Sequence, residues 1–179
     1  MDNYTSILVR MGEISLKGLN RGFFEKRLKQ NIKSKLKPYH SEEHKQKGRL
    51  YFDITNECPE EIMDMAFRTT FGVVGYSKCL SCEKDWDAIV ETARKVIAQP
   101  PFDAGTGTFK VEARRSDKLF PMLSYDIESK LGGVVLSTYP GMRVDVHHPQ
   151  FRLFCEIRDR AYVYASPQPG PDGLPCTTA

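Results

Sequence analysis

Six stretches in the first 82 residues alternate between the two hydrophobic periods of secondary structure, and their order restricts the fold more than any other feature of the chain. Ser6-Ile-Leu-Val-Arg10 is a short apolar run with the character of a buried strand. Gly12 and Gly18 punctuate the turn after it, and Asn20 supplies a helix N-cap. From about 21 to 37, Phe24, Leu28, Ile32 and Leu36 recur every fourth residue, the drifting stripe of a helix with one buried face, and Pro38 stops it. Two strands flank Lys47-Gly48. The one near 39–46 is polar enough to be an edge, whereas Arg49-Leu-Tyr-Phe-Asp-Ile54 is apolar enough to be central. A helix over Pro59–Thr70 buries Ile62, Met63, Ala66 and Phe67, and a strand runs from Val73 to Cys82.

The order βαββαβ is that of a ferredoxin-like sandwich, which assigns residues 1–82 to one α+β domain. A second unit, 83–166, follows without a marked linker. Lys84–Gln99 is helical, with Trp86, Ile89, Val90, Ala93, Val96 and Ile97 on one face, and a Pro- and Gly-containing loop leads to a strand and helix over 109–135. Gly132-Gly133 inside that helix allows a neighbour to approach closely, at some loss of helix stability. Strands over Arg143–Val146, Arg152–Ile157 and Ala161–Ala165 complete the unit. Four prolines and two glycines between Ser166 and Pro175 exclude regular structure, so residues 167–179 read as a linker tail.

The functional residues concentrate where the 109–113 strand ends. Phe109, Val111 and Ala113 alternate with polar neighbours, and the strand runs into Arg114, Arg115 and Lys118 before Pro121 and Ser124 announce the next helix. Three cations are thereby delivered to a loop facing a helix start, where free N–H groups and the helix dipole also favour an anion. Phe120 and Met122 lie between them as an apolar surface for a nucleic-acid base. The same residues have a plainer use, in which Arg114 and Lys118 pair with Glu112 and Asp117 and Phe120 packs. Lys17 and Arg21 bracket a Gly-containing turn and make a second phosphate seat, or are satisfied by Glu13 and Glu25. Lys26, Lys29, Lys33 and Lys37 lie opposite the first helix's apolar stripe, as a solvated face or an RNA-facing one.

Charge is unevenly spread. Residues 1–50 hold 12 Lys and Arg against 5 Asp and Glu, and the remainder holds 14 against 18. A basic first third suits a polyanionic partner. No apolar run approaches the ~20 residues of a membrane span, and the N-terminus lacks the pattern of a signal peptide. Cys58, Cys79, Cys82, Cys155 and Cys176, odd in number, suit free thiols in the cytoplasm. Cys79-Leu-Ser-Cys82 has zinc-like spacing but no second pair, and on a strand its two thiols point to opposite faces. Asp145 and Glu156, acid candidates, are better explained as partners of Arg143 or Arg158. No nucleophile–base pair, catalytic residue or metal site is assigned. The remaining alternative chemistry is a thiol enzyme through Cys79 and Cys82.

Four motifs carry a family resemblance. Leu8-Val-Arg-Met-Gly-Glu-Ile-Ser-Leu-Lys-Gly-Leu-Asn-Arg21 resembles the N-terminal motif of tRNA 4-thiouridine synthetases, also called tRNA sulfurtransferases. Phe109–Ile127, then Pro140-Gly-Met-Arg-Val-Asp-Val-His147 and Phe154-Cys-Glu-Ile-Arg158, resemble their THUMP domain, and Gly170-Pro-Asp-Gly-Leu-Pro175 resembles the linker before their catalytic domain. The resemblance implies a ferredoxin-like domain followed by an α/β THUMP domain that together grip tRNA and present its acceptor end. Together with the cations read above, the expectation is that Arg114, Arg115, Lys118, Arg143 and Lys110 meet phosphates, with Lys17 and Arg21 extending the track and Phe120 or Met122 supporting an unpaired base. In the family a Ser-Gly-Gly-x-Asp-Ser loop adenylates uridine 8 with ATP, a persulfide sulfur displaces AMP, and some members serve thiamine synthesis. This sequence has no such loop, and Leu123, His148, Asp172 and the Gly173-Leu-Pro-Cys-Thr-Thr178 segment depart from the family pattern. The chain is therefore expected to bind tRNA for thiolation without catalysis or cofactor of its own. The alternative partner is a separately encoded catalytic subunit that the chain docks.

Overall fold

The computed structural model describes residues 4–12, 20–46, 49–166 and 168–169. The chain divides into two compact units, one taking in Met1–Lys78 and Pro167–Ala179, the other Cys79–Ser166.

In the first unit β1 (Tyr4–Met11), α1 (Arg21–Leu36), β2 (Ser41–Gln46), β3 (Arg49–Thr55), α2 (Glu60–Arg68) and β4 (Val73–Cys82) follow the expected βαββαβ order. The strands are arranged β2-β3-β1-β4, with β3 antiparallel to both β1 and β2. The four-residue stripe of α1 explains its seat: Leu28, Ile32 and Leu36 are fully buried against Ile7, Val9, Leu50, Phe52 and Phe67. Burying each such side chain contributes about 1.5–3 kcal/mol. Asn20 occupies the N-cap position of α1 without a side-chain cap hydrogen bond; its carbonyl accepts from Phe24 N–H at 3.0 Å instead.

The polar edge strand is tied to the helix by charge. Glu43 and Lys45 of β2 pair with Lys33 at 2.8 Å and Glu25 at 2.6 Å, and Lys29 lies 3.6 Å from Glu25. A charged edge of this kind also resists pairing with other chains.

In the second unit the end of β4 pairs with β8 (Ala161–Ala165), and the order continues through β7 (Phe151–Ile157) and β5 (Gly107–Arg115) to β6 (Met142–Val144). β5 is parallel to β6 and β7, which requires the crossover through α4 (Ser124–Thr138). α3 (Trp86–Ile97) begins at Asp85, whose carboxylate accepts from Ala88 N–H at 3.2 Å. One apolar core joins Ile89, Ala93 and Val96 of α3 and Ile127, Leu131 and Val135 of α4 to Phe109, Val111, Leu153, Cys155, Ile157 and Val163 of the sheet. Both helices of this unit therefore cover one face of its sheet, and among the described residues its other face carries no helix of this unit.

Two local expectations are corrected. A Cβ on Gly132 or Gly133 meets nothing within 4 Å outside the helix's own backbone, so these glycines do not serve a close approach. The tail is not wholly irregular: Gln168–Pro169 forms β9, paired with Gly75 and Tyr76 of β4. A proline tolerates such an edge position because only one side of the strand needs its donors.

Candidate nucleic-acid interface

The pleat of β5 sorts the candidate residues into two groups. Phe109 and Val111 point into the core, so Arg115, on the same phase, points toward the helices, while Lys110, Glu112 and Arg114 point to the opposite, helix-free face. Register adds neighbours: Thr108 lies beside Arg143 of β6, and Lys110 beside Arg152 of β7. Met142 and Leu153 are core residues, which turns Arg143 and Arg152 to the helix-free face as well. Arg152 Nη1 donates to Glu112 Oε1 at 2.6 Å, and Lys110 Nζ lies 3.4 Å from the same oxygen. Arg114 and Arg143 are exposed and make no ion pair among the described residues. From the Thr108 row to Arg114 the strand advances about 20 Å at ~3.3 Å per residue. The result is a strip of four cations, Arg143, Lys110, Arg152 and Arg114, with Glu112 in its middle and Glu156 of β7 beside Arg114.

The other group behaves differently. Arg115 Nη1 donates to the Phe120 carbonyl at 2.9 Å and reaches the Lys118 carbonyl at 3.5 Å. Its guanidinium is occupied by the loop backbone and is turned away from the strip. Phe120 is 7% exposed and belongs to the core, and Met122 is half-buried against that core. Phe120 shows no free apolar face, so the expected base platform is corrected at that residue: the ring that packs the loop down is not open to a base. Lys118 is exposed at the loop tip. Its expected partner Asp117 turns instead to Lys84, 2.7 Å away, and that hydrogen bond holds the Asp117 carboxyl below its usual range.

Lys17 lies outside the described residues, and Arg21 is exposed at the start of α1. Leu123 takes the N-cap position of α4 with no side-chain cap hydrogen bond. Three apolar residues around that corner were not anticipated: Leu119 is 93% exposed, and Leu123 and Tyr125 are exposed beside it in sequence. Arg152 was missed too, because its place beside Lys110 follows from a parallel pairing across some forty residues. A signal for it existed in the alternation of Phe151–Ile157, which sets Arg152 opposite Leu153.

Among the described residues no group of three or more His, Cys, Asp or Glu is placed to hold a metal ion. Asp145 does not pair with Arg143; its carboxylate accepts from the His147 and His148 N–H groups at 3.1 and 2.9 Å and shapes a turn. Glu156 pairs with Arg158 at 3.7 Å. Cys82 faces the core of the second unit, and strand alternation sends Cys79 to the opposite side. Burial pushes the Cys155 thiol up to about 12, which keeps it protonated and inert. No helix among the described residues is long and apolar enough to cross a membrane.

Residues 6–77 match the ThiI ferredoxin-like domain, and residues 83–165 match the THUMP domain. The chain is a ThiI ferredoxin-like domain followed by a THUMP domain. A probable tRNA sulfurtransferase of Alkaliphilus metalliredigens is 36% identical over 173 residues, covering 96% of this chain and 44% of the relative. That of Geobacillus kaustophilus is 38% identical over 179 residues, covering 99% and 44%. The chain thus spans less than half the length of these relatives. A solved 4-thiouridine synthetase, crystallised with RNA and bound ATP, superposes with a TM-score of 0.73 at 27% identity, covering 98% of this chain and 44% of that one. The basic strip and the clasped loop both belong to the THUMP domain.

Proposed function

We propose that this chain binds tRNA at its acceptor region and serves thiolation of uridine 8 as the recognition part of a tRNA sulfurtransferase. The observation that carries the reading is the basic strip on the helix-free face of the THUMP sheet. Lys110 and Arg152 there share one carboxylate, Glu112, and Arg114 and Arg143 are unpaired among the described residues. A strip of that length and spacing suits a nucleic-acid backbone, where phosphate contacts supply affinity and register. The names of the relatives, and the RNA in the solved 4-thiouridine synthetase, support tRNA as the nucleic acid. The chain carries out no chemistry of its own in this reading. ATP and a persulfide donor act in the length of the relatives that it does not span.

Fluorescence titration of labelled tRNA at several salt concentrations tests it. Four phosphate contacts give a slope of log K against log salt of about −3, from ~0.7–0.9 per phosphate. Removing the tRNA 3′ end weakens binding if the acceptor region is gripped. A slope near zero, or equal binding of any polyanion of the same length, overturns the reading.

A further inference from the structure

The loop between β5 and α4 is fastened along its first part, from Ser116 to Phe120. Ser116 and Asp117 donate their N–H groups to the Ile157 carbonyl at 2.9 and 3.3 Å, and Ser116 Oγ donates to the same oxygen at 3.2 Å. Asp117 spends its two carboxylate oxygens on different tasks: Oδ2 accepts from Lys84 Nζ at 2.7 Å, and Oδ1 accepts from Leu119 N–H at 3.0 Å. Arg115 closes the loop from the side by donating to the Phe120 and Lys118 carbonyls, and the Phe120 ring plugs it into the core. Lys118 and Leu119, between these ties, project outward, and Leu119 is 93% exposed. So many bonds in five residues hold a cation and an apolar side chain in one arrangement at the end of the basic strip.

We propose that Arg115 and Asp117 are positioning residues that hold Lys118 and Leu119 ready for RNA, and that Arg115 itself touches no phosphate. The proposal rests on the tRNA-binding reading and assigns these two side chains a role other than direct contact. Its physical basis is preorganisation. A loop already ordered in the free protein loses little conformational freedom on binding, whereas an unfastened loop must be ordered by the RNA.

The two roles leave different marks on salt dependence. A lost phosphate contact flattens the log–log slope by about 0.7–0.9. A lost tie leaves Lys118 able to reach its phosphate in the complex, so the slope stays and only the affinity falls. In titrations of the 179-residue chain with labelled tRNA, Arg115→Ala and Asp117→Asn are expected to weaken binding roughly tenfold with an unchanged slope. Lys118→Ala and Arg114→Ala are expected to flatten it. Arg115→Lys keeps one donor for the carbonyls and recovers part of the loss. Lys84→Gln mimics Asp117→Asn, and the pair together weakens binding no more than either alone. Amide exchange at Leu119 in the free chain is expected to quicken in Arg115→Ala, a readout independent of RNA. A slope flattened by Arg115→Ala makes it a contact residue and overturns the proposal. Unchanged affinity in Arg115→Ala, with normal binding by the unaltered chain, also overturns it. Absence of tRNA binding by the unaltered chain overturns the functional reading and the positioning role together.

Discussion

The first helix and the THUMP sheet both carry rows of cations, but their surroundings differ. On the α1 side of the ferredoxin-like domain Lys29 lies beside Glu25, Lys33 pairs with Glu43 and Lys45 with Glu25, while Lys35 donates to the Thr69 carbonyl at 2.8 Å. These lysines fasten a helix to an edge strand and to its neighbouring helix. On the THUMP sheet Lys110 and Arg152 share the Glu112 carboxylate, while Arg114 and Arg143 make no ion pair among the described residues. The first third of the chain has the higher net charge, yet in the domain that follows it Arg114 and Arg143 are exposed on one sheet face with no ion pair among the described residues. Net charge counts residues, whereas a polyanion meets the charges that the fold leaves without internal partners.

The largest effect that would break this comparison is loss of the strip's two unpaired arginines. Arg114→Ala combined with Arg143→Ala is expected to lower tRNA affinity tenfold or more and to flatten the salt slope by about 1.4–1.8, from two contacts at ~0.7–0.9 each. The melting temperature stays nearly the same, since neither side chain packs. Wild-type binding by the double variant would end the distinction between the two cation rows.

Glu112→Gln sharpens it from the other direction. With the carboxylate gone, Lys110 and Arg152 no longer exchange an internal partner for phosphate, and tRNA binding tightens about two- to fivefold, from exposed pairs of ~0.2–1 kcal/mol each. Weaker binding would mean that Glu112 holds the two cations in place for RNA. Lys33→Ala, on the helix, is expected to leave the slope unchanged and to destabilise by no more than ~1 kcal/mol, because its pair with Glu43 is partly exposed. Gly133→Ala serves as the control on stability: it adds helix propensity with open space around the new methyl and stabilises by roughly 0.5–1 kcal/mol without touching the slope. A thermal melt beside each titration separates these outcomes.

The smallest effect is with pH. Asp117 is held below the usual carboxylate range by the Lys84 hydrogen bond and by Leu119 N–H. Its support of the loop is complete above the unfolded value of about 3.9 and is lost as the pH falls through the lower folded value. Leu119 amide exchange, corrected for its intrinsic pH dependence, is therefore flat from pH 7 to about 5 and quickens only in stronger acid. Loss of protection already at pH 6 would point to a histidine rather than Asp117.

Local sequence determined the elements. The spacing of Leu28, Ile32 and Leu36, the stop at Pro38, and the alternation of Phe109 and Val111 depend on periods of 3.6 and 2 that a one-dimensional reading detects, and the βαββαβ order followed from them. Tertiary structure decided which cations meet. Arg114 and Arg115 are adjacent in sequence; the pleat turns them to opposite faces, but only the course of the chain beyond β5 gives Arg115 the loop carbonyls it meets. Likewise Arg152 joins Lys110 through parallel strands far apart in sequence, and Phe120 becomes a plug because α4 returns over it. Periodicity is a local property that each segment carries alone, whereas the neutralisation or exposure of a charge depends on distant residues that only folding brings within a few ångströms.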